Sequence, residues 1–134
     1  MELQLPRITM LYAGVLGIFY FILSVDVIRY RWKEKKGLGH GTDPESGLYK
    51  RIRIHGNFME YIPFILLLMA LDELTGRSSA YLHFVGAALF LGRVGHSLGL
   101  KKTQGPSVGR TIGMGTTFCT LLLLCFNLIF KSVS

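Results

Sequence analysis

The run 112–130, IGMGTTFCTLLLLCFNLIF, holds nineteen residues and not one charge. At about 1.5 Å per residue, a helix needs roughly 20 apolar residues to cross ~30 Å of hydrocarbon, so this segment has the length of a membrane span. Residues 8–28 form a second such run, charged only at Asp26. Between them lie two more polar runs, 54–74 and 79–98, whose lipid-facing surface must be partial. Hydrophobic residues make up 50% of the 134, and the mean hydropathy is +0.41, above the range of ordinary soluble proteins. The expected fold is all-α: an integral membrane four-helix bundle forming a single domain over 1–134. The first run is long, is followed by Asp26 and Arg29, and lacks a small-x-small cleavage pattern, so it reads as a retained helix and not as a secretory signal.

A formal net charge of +7 raises nucleic acid as a partner, and the placement of the charges argues against it. Eight of the fifteen Lys and Arg residues lie between Arg29 and Arg53, four more between Arg93 and Arg110, and the connection between them carries Asp72 and Glu73. This is the positive-inside pattern. It puts the first and third connections in the cytoplasm and both termini on the other side. A basic face of this kind also attracts anionic lipid. Cys119 and Cys125 sit inside the last apolar run without metal or disulfide spacing and read as small apolar residues. No phosphate loop, nucleotide fingerprint, metal-ligand cluster or internal repeat occurs.

Chemistry concentrates in KRIRIHGNFMEYIPF, the entry to the second helix. With Arg53 at the origin of a helical wheel, Asn57 falls at about 40°, Glu60 at about 340° and Tyr61 at about 80°, so these groups share one stripe. His55, at about 200°, points the other way. A salt bridge between Arg53 and Glu60 that merely joins helices is one use of such a stripe; a cation, an amide, an anion and a phenol together are richer than a pair requires and suit a binding site. Arg93 and His96 share a face of the third helix, and Arg110 opens the fourth, all near the membrane level of Arg53. Arginines gathered from several helices, Arg29 and Arg31 of the first included, outnumber Asp26 and Glu60 and call for an anionic ligand with carboxylates or phosphates. Four short helices bury this polarity poorly alone, so an oligomer with sites between subunits is expected.

RIHGNFMEYIP resembles the helix-two signature R-x-x-x-N-x-x-E-x-x-P of the membrane-associated proteins in eicosanoid and glutathione metabolism, with Arg53, Asn57, Glu60 and Pro63 in its four positions and Tyr61 matching the aromatic after the Glu. The likeness extends over nearly the whole chain and is greatest to the small bacterial branch of that family. It implies a homotrimer in the inner membrane with glutathione as cosubstrate, bound between subunits by Arg53, Asn57, Glu60 and Tyr61. It further implies His55 reaching the ligand from the next subunit, Arg29 or Arg31 as the helix-one arginine, Arg93 and His96 as a helix-three pair, and Arg110 as the catalytic, thiolate-stabilising arginine. Leu100 and Met114 stand where relatives often carry tyrosines. The implied activity is that of a glutathione transferase or peroxidase acting on lipophilic electrophiles from the bilayer; a non-catalytic binding or assembly module is the alternative, and a small transporter is disfavoured by the absence of broken-helix pairs. The charge pattern predicts that a C-terminal reporter active only in the cytoplasm stays silent, whereas a strong signal would reverse the orientation.

Overall fold

The protein, described here by a computed structural model over residues 5–103 and 105–134, folds into four helices: α1, Arg7–Lys33; α2, Gly47–Leu74; α3, Ser79–Lys102; and α4, Val108–Val133. All four expected runs are helical. The largest difference is the start of α2, which begins seven residues before position 54. The basic residues at 50–53 read as loop by hydropathy, yet Ser46 caps a helix there, its hydroxyl accepting from the Tyr49 amide at 3.1 Å. Ser78 and Ser107 cap α3 and α4 in the same way. Pro63 lies inside α2, which continues through it to Leu74.

By length and apolar composition, α1, α2 and α4 each suffice to cross a membrane. The 24-residue α3 does not meet that measure, for a reason visible in its packing. Arg93, His96 and Ser97 face inward and are buried, while Phe84, Leu91 and Leu98 face outward. Its polarity is on the inside of the bundle, where neighbouring helices can satisfy it.

In the bundle, α2 and α3 touch each other and both flanking helices, whereas α1 and α4 do not pack together among the described residues. The buried residues of α1, Thr9, Leu16 and Leu23, recur every seven positions and form one narrow seam. The outer face of α1, including Ile18, Phe21, Ile22 and Ile28, is exposed, as befits a surface solvated by lipid. Leu16, Phe58, Ile62, Ile65, Met69, Leu82, Val85, Leu89 and Leu124 make the common core.

Two carboxylates, one in the last turn of α2 and one just beyond α1, fasten the ends of these helices together. Pro6 offers α1 no side-chain cap, and Glu73 of α2 supplies one, accepting from the amides of Ile8 (2.9 Å) and Thr9 (2.8 Å) and from the Thr9 hydroxyl. At the opposite end, Glu34, just beyond α1, accepts from the Leu48 amide in the first turn of α2 at 2.9 Å. Each acid satisfies donors that a helix start leaves open and complements its dipole. Beside Glu73, the fully buried Asp72 takes Arg77 Nε at 2.9 Å and Asn127 Nδ2 at 3.4 Å. Its hydrogen bond holds the Arg77 guanidinium above its usual range. Gly76, at φ +84°, turns the chain between α2 and α3.

The closest helix contact is between α3 and α4. A Cβ on Gly113 would meet the Gly92 carbonyl oxygen and the His96 Cβ, and one on Gly109 would meet the Gly95 carbonyl. Gly115, on the same helix, has open space around it. Gly113→Ala is therefore expected to destabilise the detergent-solubilised protein by about 2 kcal/mol through overpacking against backbone, with Gly115→Ala close to neutral. Thermal unfolding of the two variants checks the contrast.

Candidate functional site

At the end of the bundle where α1 and α3 finish and α2 and α4 begin, a cavity of about 230 Å³ opens between α2, α3 and α4. Its walls are Tyr49, Lys50, Arg53 and Asn57 from α2, His96 and Leu100 from α3, and Arg110 from α4. Tyr49, Arg53 and Asn57 follow at four-residue spacing, so one face of the early turns of α2 lines it. No carboxylate is among these residues.

Behind this wall lies Arg93, with none of its surface exposed. Its Nη2 donates to Asn57 Oδ1 at 2.6 Å and lies 3.4 Å from His96 Nδ1; its Nη1 is 3.5 Å from Thr117 Oγ1 and 3.6 Å from Met114 Sδ. Its Nε is buried with no hydrogen-bond partner among the described residues. A guanidinium has donors only. Asn57 must therefore turn its carbonyl toward Arg93 and its NH2 away, and a His96 that accepts through Nδ1 carries its proton on Nε2. The Thr117 hydroxyl, which donates to the Gly113 carbonyl at 2.7 Å, has its oxygen free to accept. Arg93 thus polarises its neighbours so that Asn57 and His96, like Lys50, Arg53 and Arg110, offer donors to a ligand.

Of the acids near this end of the bundle, Glu45 holds a residue of the cavity wall, and Asp26 and Glu34 are engaged elsewhere. Glu45 pairs with Lys50 at 2.6 Å. Asp26 pairs with Lys101 at 2.7 Å and with Arg51 at 3.5 Å, joining α1, α2 and α3, while Arg51 also lies 3.6 Å over the Tyr30 ring. Glu34 caps α2. The cavity keeps an excess of positive charge.

Of the residues singled out in the sequence, Arg53, Asn57, His96 and Arg110 line the cavity, and Arg93 organises it from behind. Glu60 lies one turn further along α2 and is exposed on the surface of the single subunit. Tyr61 packs edge-on against Phe118 of α4, ring centroids 5.5 Å apart. His55 faces α1, with Nε2 3.1 Å from Ser24 Oγ and its ring 4.8 Å from that of Tyr20, in keeping with its separate direction on the wheel. Neither Arg29 nor Arg31 lines the cavity within one subunit: Arg29 is exposed, and Arg31 donates to the carbonyls of Lys36, Gly37 and Gly39. Tyr49, Lys50 and Leu100 were not among the expected binding residues. The signal for Tyr49 and Lys50 was Ser46, a helix cap that places the first turn of α2 seven residues earlier.

The sequence profile described as the MAPEG family matches residues 9–130. Inner membrane protein YecN of Escherichia coli strain K12 is 35% identical over 117 residues, covering 87% of this chain and 86% of that protein. YecN of Escherichia coli O6:H1 gives the same figures.

If Asn57 orients and partners Arg93 as described, Asn57→Leu, which keeps the branched shape and removes the acceptor, should destabilise the protein by about 2 kcal/mol with no ligand present, the scale of a hydrogen bond to a charged group. Denaturant unfolding in detergent reads this directly; an unchanged midpoint would show that Arg93 finds equal support elsewhere.

Proposed function

The chain belongs to the MAPEG family, and from that premise we propose that it is an inner membrane protein that binds glutathione in the α2–α3–α4 cavity and uses it as cosubstrate in a transferase or peroxidase reaction on lipophilic electrophiles. The observation that carries this reading is the donor-rich, acid-free wall set around a buried arginine. Such a wall suits a ligand with carboxylates and peptide carbonyls. Glutathione has two carboxylates, two amide carbonyls, one ammonium and one thiol. In this reading Arg53 takes one carboxylate, Lys50 takes the other in exchange for Glu45, the NH2 of Asn57 takes a carbonyl, and Arg110 faces the thiol.

A homotrimer is part of the proposal. One subunit offers about 230 Å³, below the roughly 300–1,000 Å³ of pockets that enclose drug-sized ligands, so a tripeptide needs a second wall. Glu60, a carboxylate exposed on a membrane helix, also needs cover, since a charge facing lipid costs several kcal/mol. A neighbouring subunit supplies both, with Glu60 receiving the ligand's ammonium and His55, Arg29 or Arg31 contributing from across the interface. α3 completes a four-span topology with both termini on the non-cytoplasmic side. Lipophilic substrates then arrive laterally from the bilayer.

Catalysis rests on Arg110. A thiol with a pKa near ~8.5 is only a few per cent thiolate at neutral pH, and the thiolate is the nucleophile. A guanidinium at the start of α4, where the helix dipole also favours an anion, would lower that pKa by roughly one to three units. A non-catalytic glutathione-binding or assembly role is the second reading, favoured by the apolar Leu100 on the cavity wall, which offers the thiol no hydrogen bond.

Arg110→Ala separates the two. The catalytic reading expects glutathione affinity near pH 5, where the thiol is protonated free and bound, to stay within about 0.5 kcal/mol, while at neutral pH the thiolate absorbance of the bound ligand and most turnover disappear. Identical thiol titration in parent and variant would withdraw the catalytic assignment and leave a binding protein.

A further inference from the structure

On the outside of the bundle, the end of α1 and the turn after it enclose a second, shallower depression of about 630 Å³, lined by Ile28, Arg31, Trp32, Lys35, Lys36 and Gly37. The turn is held in a defined shape. Arg31 Nη1 collects the carbonyls of Lys36, Gly37 and Gly39 at 3.0–3.3 Å. Lys35 adopts the left-handed region at φ +52°, sparsely populated for a residue with a side chain, and the Lys36 amide returns to the Arg31 carbonyl at 3.0 Å. Between Arg29 and Gly37 five cations, Arg29, Arg31, Lys33, Lys35 and Lys36, face one acid, Glu34, which caps α2 through Oε1 and lies 3.7 Å from Lys36 Nζ through Oε2.

The apolar surroundings say what kind of anion fits. Along α1 the exposed residues Ile18, Ile22, Val25, Ile28 and Trp32 succeed one another at three- and four-residue steps, so the lipid-facing stripe runs directly into the basic turn. Trp32 is 80% exposed and Leu38, within the turn, 92%. A Trp at the end of an apolar helix belongs to the headgroup level of a bilayer, and a polybasic segment beside it attracts anionic lipid. A soluble phosphate would use the cations and leave Trp32, Ile28 and Leu38 in water; a lipid uses both.

We infer that this depression binds the phosphate headgroup of an anionic glycerophospholipid, with Lys35 and Lys36 as its cations and Trp32 and Ile28 against the upper acyl chain. The site lies apart from the α2–α3–α4 cavity of the same subunit, and its cations Lys35 and Lys36 are not among the residues assigned to glutathione.

Trp32 is the sole tryptophan of the chain and so reports on its own lipid neighbours. The full chain is reconstituted in phosphatidylcholine vesicles containing a minor fraction of either brominated phosphatidylglycerol or brominated phosphatidylcholine, and quenching is compared at equal mole fraction. Brominated phosphatidylglycerol is expected to quench several-fold more effectively. Its relative association should fall about fivefold for each lysine neutralised in Lys35→Gln and Lys36→Gln, and Lys35→Arg with Lys36→Arg should retain it. Equal quenching by the two lipids in the parent protein would overturn the proposal, as would a preference that survives the double glutamine variant. Quenching by neither lipid would also overturn it, by showing that another copy of the chain covers this face.

Discussion

A guanidinium buried among membrane helices is unstable unless its donors are met, and Arg93, Nε apart, meets them by reaching from α3 to Asn57 on α2 and Thr117 on α4. That requirement fixes how three helices are rotated about their axes. It also requires them to be close: Thr117 comes within reach because Gly92 and Gly113 let α3 and α4 approach backbone to backbone. A larger residue at that contact would move the acceptor away from the charge. The same hydrogen bond that stabilises Arg93 commits the carbonyl of Asn57, and with it the character of the cavity in front.

The distribution of acids follows a consistent logic. Glu73 and Glu34 serve as helix caps at opposite ends of the α1–α2 pair, Asp72 is held by Arg77, and Asp26 joins Arg51 and Lys101. Glu45 is paired with Lys50. Structural duties thus account for these carboxylates, while Arg53, Arg93 and Arg110 remain gathered around one cavity. Glu60 is the acid left on the outer surface of α2, facing whatever covers the subunit there.

How much of this the sequence discloses depends on the range of the interaction. Arg53 and Asn57 fall on one face through helical periodicity alone, and the structure places both on the cavity wall. The four helices are legible from apolar run lengths, since the bilayer dictates a minimum span. Hydropathy hides the first two turns of α2, because the basic residues that line a membrane-level cavity look like loop when averaged. Glu73 capping α1 across more than sixty residues, and Arg93 choosing Asn57 over an acid, are tertiary choices that no local pattern encodes. Arg31 is instructive: its charge suggests a ligand contact, and the structure adds that its Nη1 donates to the carbonyls of the following turn, which no local pattern announces.

The central claim is that a donor-rich cavity, organised by Arg93, takes glutathione by its carboxylates. The most direct test compares the binding of glutathione and of its diester, in which both carboxylates are masked, to the purified protein in detergent by isothermal titration calorimetry. The account predicts measurable binding of glutathione and a loss of about 3 kcal/mol or more for the diester, the sum of two charge-assisted contacts at their lower bound. Equal affinity for the two, or no binding of glutathione by the folded protein, would contradict it.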